Sequence, residues 1–221
     1  MDFFKGKTVV VTGASSGIGR ALAEYFAAAG ANAVLGARHE DALREIVGRI
    51  GAAGAVCDVT READCKRLID TAVDTFGGVD VLICNAGISM RALFDEVDLA
   101  VLHKLMDVNF WGCVNCTKYA LPYIQRVRGS IVGVSSVAGI HGPPGRTGYS
   151  ASKYAMTGFL ETIRIEKGRI HNLPYHNARM NRTRRELFGA REEIDLAGYI
   201  HPGPHQERTK CGVEYTCEVL K

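Results

Sequence analysis

The sequence predicts an α/β protein, a doubly wound parallel sheet with helices on both faces. Three observations predict it. Short apolar runs alternate along the chain with amphipathic segments of helical period. The runs lack polar alternation, as suits strands buried on both faces. A glycine-rich turn joins the first run to the first helix.

Val9-Val10-Val11, after Lys7-Thr8 and before Thr12-Gly13, is the first strand. Ala21, Leu22, Tyr25, Phe26 and Ala29 recur at helical spacing, so Arg20 to Ala29 is a helix that Gly30 stops. A second strand, Ala33 to Gly36, leads through Ala37 to Arg38, and Asp41 to Ile50 is a second helix. A short third strand ends at Val56-Cys57-Asp58. Glu62 to Phe76 is helical, Val79 to Cys84 is a fourth strand, and Leu99 to Ile124 is one long helical stretch. Ser130 to Val134 is a fifth strand and Tyr149 to Glu166 a further helix. Strands separated by helices of about 10–15 residues imply βαβ crossovers and hence parallel pairing.

The chain has 221 residues, which allows one domain or at most two small ones, and at 47% hydrophobic and 23% charged it has the composition of a soluble globular protein, which excludes low-complexity disorder. No run reaches the roughly 18–20 apolar residues of a membrane span. The N-terminus, Met1-Asp2-Phe3-Phe4, runs directly into the first strand and leaves no room for a signal peptide. The seven cysteines are irregularly spaced and read as reduced thiols of a cytoplasmic protein. Cys113-x-x-Cys116 lies inside a helical stretch without a second ligand pair, so it reads as two buried thiols and not as a metal site. The net charge of +3 is unevenly placed: residues 1–163 hold 16 basic and 16 acidic side chains, residues 164–221 hold 11 and 8.

Thr12-Gly13-Ala14-Ser15-Ser16-Gly17-Ile18-Gly19 carries the first chemistry. Gly13, Gly17 and Gly19 let the backbone approach a ligand closely. The free amides and positive dipole end of the following helix favour a pyrophosphate. A strand before and a helix after supply the context that separates a nucleotide turn from a tight turn made for packing. Tyr149 and Lys153, four residues apart on a helix, share one face. A free tyrosine has a pKa near 10, and holding its phenolate at neutral pH requires roughly 4 kcal/mol of preferential interaction, which an adjacent ammonium can contribute.

The spacing Gly-x-x-x-Gly-x-Gly, with Asn85-Ala86-Gly87 after the fourth strand and Tyr149-x-x-x-Lys153, resembles the short-chain dehydrogenase/reductase family over residues 5–166. The resemblance implies a Rossmann-type, nucleotide-binding catalytic domain over residues 1–166. It implies that Asn109, Ser136, Tyr149 and Lys153 are the catalytic set. Tyr149 would act as general acid and base, Lys153 would also hold the nicotinamide ribose, Ser136 would orient the substrate oxygen, and Asn109 would kink the long helix and hold a relay water. Ser15, Ser16 and Ile18 would line the cofactor with the three glycines, Asp58 and Val59 would meet the adenine, and Asn85, Ala86 and Gly87 would carry the backbone past it. Tyr149 and Lys153 count among the cofactor contacts as well. A homodimer or homotetramer through the long helices is implied too.

At the end of the second strand an acidic residue would select NAD by binding the ribose 2′-OH. Ala37 and Arg38 stand there instead. A guanidinium pairs with a 2′-phosphate and no carboxylate repels it, so NADP(H) is favoured over NAD(H). His141 to Gly145, between Ser136 and Tyr149, reads as a loop that borders the substrate or merely connects, with Ile88 to Phe94 as a candidate opposite wall.

After Ile165-Glu166 the family pattern stops. Lys167 to Asn177 holds no β-branched run able to form the expected buried strand, and an arginine-rich stretch, Arg179 to Arg191, follows. Leu196 to His201 before Pro202-Gly203, and the alternating Val213, Tyr215, Cys217 and Val219, are weaker strand candidates than a divergent basic tail. The tail lacks the aromatic interleaving of a nucleic-acid module. The expectation is a sheet whose C-terminal strands are missing or irregular, with residues 167–221 as a poorly ordered tail. The function expected is NADP(H)-dependent interconversion of a small-molecule carbonyl and a secondary alcohol, with neither nucleic acid nor membrane as partner. The alternative is a nucleotide-binding or interaction protein whose altered C-terminus prevents turnover.

Overall fold

The apolar runs form five strands: β1 (Thr8–Thr12), β2 (Asn32–Ala37), β3 (Ala53–Val56), β4 (Val81–Cys84) and β5 (Ser130–Gly133). They pair in parallel in the order β3-β2-β1-β4-β5. The helices are α1 (Gly17–Ala28), α2 (Glu40–Ile50), α3 (Glu62–Phe76), α4 (Leu99–Leu105), α5 (Gly112–Val127) and α6 (Thr147–Thr162). The computed structural model describes residues 3–162 and, beyond them, Asn181, Arg182, Arg185, Glu192, Glu193 and Asp195.

Side chains alternate across a strand, so the all-apolar centre of β1 feeds two cores. Val9 and Val11 join Ala23 and Phe26 of α1 and Leu43 and Ile46 of α2. Val10 joins Leu68 and Ile69 of α3, Cys116 and Ile124 of α5, and Met156 of α6. This two-sided burial is why the strand reads as an unbroken apolar run. The 11-residue α2 is too short to persist alone, where helices below about 12–15 residues are marginal. Burying Leu43 and Ile46, at roughly 1.5–3 kcal/mol each, holds it on the sheet.

Several boundaries differ from the sequence reading for identifiable reasons. β4 begins at Val81 because Asp80 turns its carboxylate onto the Thr8 amide (2.9 Å) and Lys7 (2.9 Å). β3 ends at Val56 because the Asp58 carboxylate folds onto the Thr60 amide (3.1 Å) and hydroxyl (2.8 Å), closing a turn. The stretch 99–124 is not one α-helix: a π-helical turn, Met106–Trp111, separates α4 from α5. α5 runs on to Val127 through Pro122. α6 starts at Thr147, two residues before the expected start, and residues 163–166 lie outside the described residues.

The chain divides into two units, Met1–Glu161 and Thr162–Lys221. In the second, Asn181, Arg182 and Arg185 are helical, and Arg185 pairs with Glu193 at 2.7 Å. The strand candidates 196–201 and 213–219 lie outside the described residues, as do Cys211 and Cys217. Among the described residues β5 ends the sheet, its residues alternating between exposed and half-buried. Cys57, Cys65, Cys84, Cys113 and Cys116 are free and buried. No cluster of metal-ligating side chains occurs among the described residues. No described helix is long and apolar enough to cross a membrane.

The chain order reverses at β1: β2 and β3 lie on one side of it, β4 and β5 on the other. Such a switch point leaves a crevice at the carboxyl ends of its two central strands. Here those ends are Thr12 and Cys84.

Candidate active site

The two turns that leave β1 and β4 are locked to each other. Thr12 Oγ1 accepts the amides of Asn85 and Ala86 (3.0 Å each) and donates to the Ile83 carbonyl (3.3 Å). Asn85 Nδ2 donates back to the carbonyls of Thr12 (2.9 Å) and Gly13 (3.3 Å), so Asn85 ties the strand ends together. The fit excludes side chains: a Cβ on Gly19 would sit 2.2 Å from the Gly13 carbonyl oxygen, and one on Gly13 2.9 Å from Ala86 Cα. Gly13 (φ 65°) and Gly17 (φ 52°) occupy the left-handed region.

Ser16, the residue before α1, is extended and its hydroxyl does not cap the helix. Ser15 is half-buried, while Ser16, Gly17 and Ile18 are exposed. The turn is therefore an open cradle of backbone at a helix N-terminus, and it fits a pyrophosphate. Arg38 follows β2, exposed and without a partner among the described residues. That suits it to a phosphate on the adenosine ribose. Asp58 commits Oδ1 to Thr60, while its Oδ2 has no partner among the described residues. The Asp58 amide donates to Asp64 Oδ2 (3.1 Å), and this bond holds the Asp64 carboxyl below the usual carboxylate range. Val59 is buried against Gly112, and its carbonyl accepts Asn115 Nδ2 (3.2 Å), so the Asp58 carboxylate and the Val59 amide are the groups of this pair left to meet a base.

Asn109 lies in the π-helical turn, 1% exposed. Its Oδ1 accepts the Ile88 amide (2.8 Å), and its Nδ2 donates to the Ile88 carbonyl and to Ser152 Oγ (2.9 Å each). Ser152 Oγ donates in turn to the Tyr149 carbonyl (2.8 Å). One side chain thus joins the turn after β4, the helical irregularity and the first turn of α6. Lys153, 5% exposed, donates from Nζ to the Val134 carbonyl (2.8 Å) and lies 5.9 Å from the Tyr149 ring centroid. Burial pulls its pKa below the ordinary lysine value, an effect opposed by the nearby Cys113 and Cys84. Gly87 makes room here: a Cβ on it would stand 3.2 Å from Asn109 Oδ1 and 3.5 Å from Lys153 Nζ.

Ser136 follows β5, and its hydroxyl accepts the Ala138 amide (3.2 Å). Ser135 is instead engaged with Thr157 Oγ1 at 3.1 Å. Cys113 and Cys116 are buried in α5. The loops after β4 and before α6 meet through the Ala92 amide and Gly145 carbonyl (3.0 Å) and through Arg146 on Ser89 Oγ. The structure therefore brings together Asn109, Tyr149 and Lys153 beside Gly87, and joins Gly13 to Asn85 and Ala86. Arg38 and Asp58 stand at the ends of the strands on the other side of β1. Sequence reasoning assigned no role to Thr12, Ser152 or Arg146. The readable signal for the first two is a hydroxyl residue ending a buried strand or lying inside a buried helix, where it must find a partner.

Comparison with known proteins gives a consistent result. A family model described as short chain dehydrogenase matches residues 7–171. The chain is 42% identical over 170 residues to 11-beta-hydroxysteroid dehydrogenase A of Sesamum indicum, covering 74% of this chain and 49% of that protein. It is 44% identical over 170 residues to 11-beta-hydroxysteroid dehydrogenase A of Arachis hypogaea, again covering 74% and 49%. The chain thus spans about half the length of these curated relatives. Among solved structures it resembles a short chain dehydrogenase/reductase from Burkholderia phymatum in complex with NAD (TM-score 0.70, 35% identity, 74% of this chain and 60% of that one). It also resembles an alcohol dehydrogenase from Thermococcus sibiricus complexed with 5-hydroxy-NADP (TM-score 0.66, 28% identity, 71% and 69%).

Proposed function

We propose that this chain, which belongs to the short chain dehydrogenase family, is an NADP(H)-dependent oxidoreductase that interconverts a carbonyl and a secondary alcohol. The observation that supports this most is the frame in which Asn109 and Ser152 fix Tyr149 while Lys153 lies 5.9 Å from its ring, beside Gly87. The backbone of Gly13 to Gly19 would hold the pyrophosphate, Arg38 the 2′-phosphate, Asp58 and Val59 the adenine, Asn85 to Gly87 the passage to the nicotinamide, and Lys153 its ribose. When bound, NADP(H) supplies or accepts the hydride.

The chain's own residues handle the proton and the geometry. In reduction, Tyr149 gives its phenolic proton to the carbonyl oxygen as the carbon gains hydride; in oxidation it takes the proton from the alcohol. Ser136 orients that oxygen. The Lys153 ammonium, excluded from water, favours negative charge on the phenol oxygen. Asn109 fixes the turn after β4 and the start of α6 as one piece. The hydroxysteroid dehydrogenases among the relatives make cyclic secondary alcohols and ketones the first compounds to screen. The same reading includes a homodimer or homotetramer through α5 and α6, and a cytoplasmic setting in which buried thiols stay reduced.

The test is titration with NADPH followed by a ketone-reduction screen at 340 nm. Turnover that Tyr149→Phe abolishes, with tighter binding of NADPH than NADH, is expected. Tight NADPH binding without oxidation on any ketone favours the second reading, a nucleotide-binding protein without turnover. The specific observation on that side is that the family match ends at residue 171.

A further inference from the structure

Arg146 is a charged residue beside Tyr149 that neither the nucleotide site nor the catalytic set accounts for. It immediately precedes α6 and is half-buried. Its guanidinium carbon lies 5.8 Å from the Tyr149 ring centroid, as close as the Lys153 ammonium at 5.9 Å. Nη1 donates to Ser89 Oγ, in the loop after β4. The two loops are also joined by the Ala92 amide and Gly145 carbonyl (3.0 Å), so the side chain projects from a braced junction.

The charge is unbalanced. Among the described residues no carboxylate pairs with Arg146, and its partner is a neutral hydroxyl. Arg20, Arg44, Arg49 and Arg67 pair with carboxylates on the helices; Arg146 instead lies beside the Tyr149 ring with a neutral hydroxyl as its partner. A guanidinium has five N–H donors in a planar fork, and one is used. The rest match a carboxylate, which accepts two parallel N–H bonds.

We propose that Arg146, braced by Ser89, is a specificity-determining residue that binds a carboxylate on the substrate, so that the site takes oxo acids and hydroxy acids whose carboxylate lies across the molecule from the reacting carbon. This rests on the oxidoreductase reading and names its substrate class. Arg146 touches substrate and leaves the proton to Tyr149. Loss of a charge-assisted pair in a half-exposed site corresponds to roughly a 10–100-fold change in selectivity.

The experiment compares 4-oxocyclohexane-1-carboxylate with its methyl ester as NADPH-linked substrates of the full chain. The wild type is expected to favour the acid in kcat/KM. Arg146→Gln lowers the acid-to-ester ratio by the factor above. Arg146→Lys, which keeps the charge and loses the fork, falls between. A ratio unchanged in Arg146→Gln, or a wild type that favours the ester, overturns the proposal. A second readout separates this from failure of the oxidoreductase reading: saturation-transfer NMR of benzoate and benzamide on the NADPH-loaded proteins. Benzoate binding that is lost in Arg146→Gln supports the carboxylate site even if no ketone is reduced. Equal benzoate signals in wild type and Arg146→Gln overturn it whatever the turnover.

Discussion

Replacing Asn109 by leucine tests whether the two halves of the proposed catalytic frame are joined by one side chain. Leucine nearly conserves the shape, and the site is 1% exposed, so the change is chiefly one of hydrogen bonding. Three bonds are lost: from the Ile88 amide, to the Ile88 carbonyl and to Ser152 Oγ. Ser152 keeps its bond to the Tyr149 carbonyl, so the Ile88 amide and carbonyl are the two groups left unpaired. At about 1–3 kcal/mol for each group orphaned in this half-buried turn, the direct cost is at most about 2–6 kcal/mol. The added apolar burial of leucine returns roughly 1–2 kcal/mol, leaving a net loss of about 0–5 kcal/mol, centred near 2–3. Urea unfolding followed by circular dichroism measures this as a lower midpoint at unchanged slope. The turn carrying Ile88 and Ser89 is then free to move relative to Tyr149, so turnover falls more than NADPH affinity does. A variant as stable as the wild type, with unchanged kcat, would refute the claim that Asn109 couples the turn to α6.

Three further outcomes follow from the same geometry. Gly19→Ala forces a methyl to within 2.2 Å of the Gly13 carbonyl, a backbone clash that the turn can relieve only by opening. The expected result is a loss of about 1–3 kcal/mol in stability, with NADPH affinity weakened at least about tenfold, read by unfolding and by nucleotide fluorescence. Arg38→Ala should lower the preference for NADPH over NADH by roughly tenfold or more, the scale of one charge-assisted pair. Equal discrimination before and after the change would count against the cofactor assignment. Asp64 is held below the usual carboxylate range by the Asp58 amide, then by Arg67. Its ionised form is thus favoured in the fold, and its contribution is complete above the ordinary aspartate value of 3.8 and lost as pH falls through the lower folded value. Unfolding midpoints between neutral pH and pH 3 should therefore fall more steeply for the wild type than for Asp64→Asn.

The fold was legible where local pattern and tertiary environment agree. Glu62–Phe76 is read correctly at both ends because its amphipathic face meets the sheet and Gly77 follows it. The Val9-Val10-Val11 run is legible because burial on both faces removes alternation. The π-helical turn was not readable in detail, since it depends on a bond between Asn109 and Ile88, 21 residues earlier. The Asn85 and Thr12 interlock joins residues 73 apart and leaves no periodic trace. Tyr149 and Lys153 announce themselves by spacing. Arg146 does not: what distinguishes it is its place beside the Tyr149 ring, braced on Ser89, 57 residues earlier, a tertiary contact with no trace in local pattern.

The Thr12 hydroxyl serves two amides of the neighbouring turn at once, and Asn85 answers with two bonds of its own. The turns after β1 and β4, the proposed phosphate cradle and passage to the nicotinamide, are consequently a single bracket. A loop graft that imports either piece from a relative, to retune cofactor choice or substrate range, must import its counterpart as well. Transplanted singly, it would leave the bracket's other arm without anything to grip.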